Sequence, residues 1–85
     1  MAEVKRYELA PLEAEYRSLT TGSDRDAASR MRNFFGVLRY DLRMGFEVVM
    51  EYREGMDEPM TMRILRSEKD LDRWIEHRFA RLQEF

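Results

Sequence analysis

Apolar and polar side chains alternate over two short stretches in the second half of the chain. Phe46, Val48, Met50 and Tyr52 interleave with Glu47, Val49, Glu51 and Arg53, and after a break Met60, Met62 and Ile64 interleave with Thr61 and Arg63. A period of two built from β-branched and aromatic residues marks a half-buried strand, because successive side chains of an extended chain point to opposite faces. The break at residues 54–59 contains Gly55, Asp57 and Pro59, which favour turn dihedrals and interrupt a ladder. The pattern predicts an antiparallel hairpin over about residues 46–53 and 60–66, with Met50, Met60 and Met62 together on the face that packs on the core. Val49 and Leu65 depart from strict alternation, which predicts partial cover for the outer face.

At Ser67 the period lengthens to that of a helix. Leu71, Trp74, Ile75, Leu82 and Phe85 fall on one stripe, predicting a helix over about 68–84. Ser67-Glu68-Lys69-Asp70 has the form of a capping box with Asp in place of the longer Glu. Arg78 falls in the middle of this apolar stripe. Either its stem lies along the apolar surface with the guanidinium stacked on Trp74 one turn back, or the stripe ends in an interface where Arg78 and Phe85 anchor a partner.

The first half is more helical. Pro11 suits a first turn, Leu12, Tyr16 and Leu19 give one apolar edge, and Thr20-Thr21-Gly22 ends a helix over about 11–19. Residues 24–44 admit two readings. As one helix, Ser23-Asp24-Arg25-Asp26 caps it, Ala27, Ala28, Met31, Phe34, Phe35, Leu38 and Leu42 form its buried stripe, and Gly45 ends it in a left-handed turn. Gly36 then costs about 1 kcal/mol relative to alanine. Alternatively the helix stops at Gly36, and Leu38, Tyr40 and Leu42 alternate along a strand over 37–42. The continuous helix is the favoured reading. A lone hairpin is marginal in water and needs a third strand or a helical cover; residues 4–9, a short strand or an arm, or residues 37–42 could supply the strand, failing which the exposed edge would invite a second copy. The expected fold is α+β, a single domain over residues 1–85.

Composition narrows the function more than the fold. With fifteen bases against seventeen acids the formal charge is −2, so the chain as a whole is no polycation. It has no cysteine, which excludes disulfides, thiol catalysis and cysteine–zinc sites. No apolar run approaches the length of a membrane span and MAEVKRYEL lacks the apolar centre of a signal peptide. A soluble, cytoplasmic protein without membrane association is the expectation.

Candidate chemistry is sparse. His77 is the single histidine, and its neighbour Glu76 points away from it on a helix, so neither a triad nor a zinc site assembles. The acidic turn around Glu54, Asp57 and Glu58 lacks the ligand spacing of a calcium loop. Glu47 and Glu51 share a strand face with Glu8 in possible reach, yet acid–base work needs a pocket that separates their pKa values. No catalytic residue, cofactor or metal is expected.

The charge pattern holds more. On a continuous helix, Arg25, Arg32, Arg39 and Arg43 share one face over roughly 27 Å, suited to an acidic protein surface or a phosphate backbone. Residues 24–44 carry five bases against three acids and residues 45–62 one base against five acids, so internal pairing is the plain alternative. Only Tyr40 stands near the arginines as a ring for base stacking. The run ILRSEKDLDRWI is similar to the closing segments of several small interaction domains and phage-encoded inhibitors, a likeness of about a dozen residues from which no functional residue carries over. The expected function is a non-enzymatic interaction module: an adaptor, regulatory subunit or inhibitor of a larger protein or complex. Arg25, Arg32, Arg39, Arg43, Trp74, Arg78 and Phe85 are its candidate contacts, and homo-oligomerisation is compatible with it. A nucleic-acid binder using the arginine face is second, and a small enzyme or enzyme subunit third.

Overall fold

Gly36 does not interrupt its helix. In the computed structural model, which describes residues 3–53, 55 and 57–85, α2 runs from Ala27 to Arg43, and the strand reading of residues 37–42 is overturned. Ala27, Ala28, Met31, Phe35, Leu38 and Leu42 are all buried at helical spacing, and their joint burial outweighs the propensity cost of one glycine on the exposed side.

The third strand comes from the N-terminus. The elements are β1 (Val4–Glu8), α1 (Leu9–Thr20), α2, β2 (Glu47–Tyr52), β3 (Met60–Leu65), α3 (Glu68–Arg78) and a short 3-10 turn (Ala80–Glu84). The sheet order is β1-β2-β3. β1 runs parallel to β2, from Val4 opposite Glu47 to Glu8 opposite Glu51, and β2 is antiparallel to β3. A parallel neighbour needs a long return, which α1 and α2 supply. β1 enters α1 directly: Glu8, still extended, is the N-cap, and Pro11 lies in the first turn.

The left-handed glycine turn expected at Gly45 forms, and Gly22, expected to end the first helix, is left-handed too. Gly22 and Gly45 have φ of +79° and +93°. After α2 the Gly45 N–H reaches the Leu42 carbonyl at 3.1 Å and the Phe46 N–H reaches that of Asp41 at 3.0 Å, the paired bonds of a Schellman ending. The expected cap at Ser23 does not form. The helix begins at Ala27 with no side-chain cap on it, and Asp24 instead turns the chain, its Oδ1 accepting the Asp26 N–H at 3.0 Å. Of the turn predicted at 54–59, Glu54 and Met56 lie outside the described residues; Gly55 has φ +75°.

The hairpin forms, but one of its expected faces is reversed. Val48 pairs with Leu65, Val49 with Ile64 and Met50 with Arg63; the register then shifts, so that Glu51 pairs with Thr61 and Tyr52 with Met60. Met62 is the extra residue of this bulge. Leu65 therefore joins Val48 and Met50 in the core, while Met60, Met62 and Ile64 are exposed. The expectation that Met60 and Met62 share the core with Met50 is corrected: pairing Leu65 rather than Ile64 with Val48 turns Ile64 outward, Met62 is taken up by the bulge, and Met60, opposite Tyr52 and so on the face of Met50, stands exposed at the end of the strand. Val49 and Glu51 are also buried, on the face away from the helices, and Val49 stands apart from the main core. Partial cover of that face was expected from the broken alternation.

The predicted helix over 68–84 is two pieces. Ser67 caps α3 as expected, its Oγ accepting the Asp70 N–H at 3.1 Å, while Asp70 Oδ2 accepts the Arg66 N–H at 2.9 Å. The helix ends at Arg78; Phe79 takes φ −127° and ψ 38°, and a 3-10 turn follows. That break swings Phe79 into the centre of the core, fully buried, 5.1 Å from both Tyr16 and Trp74 and 5.5 Å from Phe35 between ring centres. Among the described residues no helix is long and apolar enough to cross a membrane.

Candidate interaction surfaces

The arginine face of α2 is largely spent inside the molecule. Arg39 Nη2 lies 2.6 Å from Asp72 Oδ1, and Arg39 Nη1 lies 3.4 Å from Glu68 Oε1. Arg43 Nε reaches the same Glu68 oxygen at 2.9 Å. Arg32 donates to the Leu82 carbonyl at 3.1 Å and to the Phe85 main-chain oxygen. Together these contacts tie α2 to α3 and to the 3-10 turn. Arg25 lies before α2 and is exposed; it lines a shallow cavity of about 360 Å³ with Ser29, Arg32 and Phe85.

Of the other expected contacts, Trp74 and Phe85 fall on the core side. Trp74 is 4% exposed, edge-on to Phe35 and Phe79. Phe85 is half-buried against the same cluster. Arg78 does not lie over Trp74; its Nη2 is 2.5 Å from Glu13 Oε2, and its guanidinium stands 5.9 Å from the Phe79 ring. Glu13 also accepts from the Tyr52 hydroxyl, so one carboxylate joins α1, β2 and α3. The seven candidate residues therefore do not form one surface: Arg32 and Phe85 meet, Arg39 and Arg43 share Glu68, and Trp74 is internal.

The buried ionisable groups are also held. Glu51, 1% exposed on the sheet face away from the helices, lies between Arg53 at 2.5 Å and Arg6 at 3.2 Å. Those guanidiniums, Arg53 foremost, hold its carboxyl below the usual glutamate range against the cost of desolvation. Asp41, also buried, accepts from the Tyr7 hydroxyl. Burial, then the bond to Asp41, pushes the Tyr7 phenol up to about 12. Among the described residues no cluster of three or more His, Asp or Glu side chains is placed to hold a metal ion.

What the sequence reading missed is a cleft of about 360 Å³ between β3 and α3. Four successive residues, Arg63 to Arg66, line one wall, and Asp70, Arg73, Trp74 and His77 line the other. Successive strand side chains point opposite ways, so a wall made of four in a row runs along the strand's edge. That edge is free, because β3 is the last strand of the sheet. The helix wall follows the spacing i, i+3, i+4, i+7 of a single face. Three guanidiniums and an imidazole thus face one carboxylate. Arg66 Nε is engaged by Glu47 at 3.2 Å; among the described residues Arg63 and Arg73 have no carboxylate within ion-pairing distance. The signal for it in the sequence is the basic flank of the Trp74 stripe, Lys69, Arg73 and His77. Neither family models, curated proteins nor solved structures match this chain.

Proposed function

We propose that this chain is a small binding module, acting as an adaptor, regulatory subunit or inhibitor, that lays its β3–α3 flank against a larger protein. The observation that carries this reading is the composition of that flank. Ile64 lines the cleft together with Arg63 and Arg73, and Met60 and Met62, earlier on the same edge strand, are exposed as well. Apolar side chains next to arginines without internal counter-charges are the make-up of protein interfaces rather than of ordinary surface. The nucleic-acid alternative draws less support than the sequence suggested, since Arg32, Arg39 and Arg43 already serve internal acceptors. The enzyme alternative is weakened because the two buried carboxylates among the described residues are held by partners, Asp41 by Tyr7 and Glu51 by two arginines. A cytoplasmic site of action goes with this reading, from the cysteine-free composition.

The test is site-specific photocrosslinking in cells. A photoreactive residue at position 62 is expected to give a discrete protein adduct, and the same residue at Ser29, on the exposed side of α2, none. Absence of any adduct from position 62, or equal adducts from both positions, would overturn the reading.

A further inference from the structure

We infer that the cleft between β3 and α3 receives an extended acidic peptide, which adds a fourth strand to the free edge of β3. This inference rests on the binding-module reading and names the chemistry of its partner. Three observations converge on it.

The first is the edge. β3 pairs with β2 on one side alone, so the outward N–H and C=O groups of Met60–Leu65 have no strand to bond, and among the described residues no main-chain hydrogen bond from another element reaches them. Such an edge is a template for an incoming strand. The second is the wall. α3 runs beside this edge and presents Arg73 and His77 from one helical face across the cleft from Arg63. A strand laid there would contact the helix with its alternate side chains, the arrangement by which strand addition gains specificity. The third is charge. Arg63 and Arg73 leave the cleft positive although the chain as a whole is −2, so attraction to an acidic segment is local to this groove.

Two other occupants fit less well. A second copy pairing through its own β3 would offer Arg63 no carboxylate, since Met60–Leu65 contains Arg63 and no acid; a basic edge is a device against self-pairing. A nucleic-acid strand would satisfy the guanidiniums but would not reproduce the alternating donors and acceptors of a strand.

The experiment titrates the full chain into a fluorescein-labelled peptide of alternating Glu and Val, about six residues long, the usual strand length. Anisotropy is read at low salt, alongside a Lys–Val peptide, a single-stranded oligonucleotide of matched charge, and the Glu–Val peptide N-methylated at alternate amides. The acidic peptide is expected to bind, the Lys–Val peptide not, and the N-methylated form to lose at least about tenfold, because its ladder cannot form. The double variant Arg63→Glu, Arg73→Glu, with circular dichroism confirming its fold, is expected to lose at least about tenfold as well. Amide NMR shifts on binding should concentrate in residues 60–66 and 70–77.

Equal binding of the N-methylated peptide, shifts elsewhere on the molecule, or tighter binding of the oligonucleotide would each overturn the inference. No binding of the acidic peptide overturns it too. If position 62 still crosslinks to a protein in that case, the binding-module reading stands and only its partner chemistry is wrong.

Discussion

Tyr7 on β1 donates its hydroxyl to the buried carboxylate of Asp41 on α2, thirty-four positions along the chain. The bond ties the edge strand to the helix that returns the chain to the sheet, while the Tyr7 ring packs edge-on to Phe34, with 5.5 Å between centres. Tyr7→Phe keeps the ring and removes the donor, leaving a buried acceptor without its partner, and is expected to cost about 1–3 kcal/mol. The phenol's folded-state pKa of about 12 lies above the ordinary 10.0. A raised folded value means that the contribution is complete below pH 10 and is lost as pH climbs through 12. The gap in urea midpoint between wild type and Tyr7→Phe should therefore hold from neutral pH to mildly alkaline conditions and close between these two values. A variant as stable as wild type near neutrality would show that the pair contributes nothing.

Gly36 is exposed in mid-helix, and a Cβ built there meets nothing within 4 Å. Gly36→Ala is expected to stabilise the fold by roughly 0.5–1 kcal/mol, by restricting the unfolded chain and raising helix propensity. Thermal or urea unfolding reads the sign directly. A loss of stability would mean that something packs against this side of α2.

Phe79 and Arg78 exchange the places that helical periodicity assigned them. Carrying one helix through to residue 84 puts Arg78 on the buried stripe and leaves Phe79 off it. The chain resolves the conflict by ending α3 at Arg78, which sends the ring inward and the guanidinium out to Glu13. Phe79→Ala is expected to cost about 3–5 kcal/mol, a large part of a small domain's stability. Arg78→Ala should cost no more than about 1 kcal/mol, as an exposed ion pair does. Equal costs would be incompatible with this exchange.

The legible parts of this fold were those governed by local chemistry. Ser67 beside Asp70, Gly22 and Gly45 after their helices, and the buried stripe of α2 each follow from neighbours a few positions apart. The illegible parts depended on partners far along the chain. Nothing in Val4–Glu8 states that its neighbour is parallel, because that orientation is set by the α1–α2 return. The arginines of α2 look like a free row until α3 brings Glu68 and Asp72 against them. The β3–α3 cleft was hidden for the same reason: Arg63 and Arg73 are ten positions apart and become neighbours only in the fold.

The bulge at Met62 makes a sharp contrast among the methionines. Met50 is fully buried and Met62 is 45% exposed, although alternation had placed them together. Met50→Ala should cost about 2–5 kcal/mol. Met62→Lys should change stability by less than about 0.5 kcal/mol, as an exposed substitution does. If Met62→Lys unfolds the protein, the register across the hairpin is wrong by one residue, and the outward set of Met62 and Ile64 with it.

Glu51 supplies the acid-side test. It lies opposite Glu8 on β1 and Thr61 on β3, where a carboxylate on the middle strand would repel its neighbour if Arg6 and Arg53 did not bracket it. Its folded pKa is held below the ordinary 4.5, chiefly by the bond from Arg53. For a depressed value the stabilising contribution is present above 4.5 and disappears as pH falls through the folded pKa. Glu51→Gln removes the charge at every pH, so the variant should be less stable than wild type near neutrality. Its urea midpoint should then fall less steeply than that of wild type as the solution is acidified below that point. Parallel acid profiles for the two proteins would show that the arginines lie beside Glu51 without holding its charge.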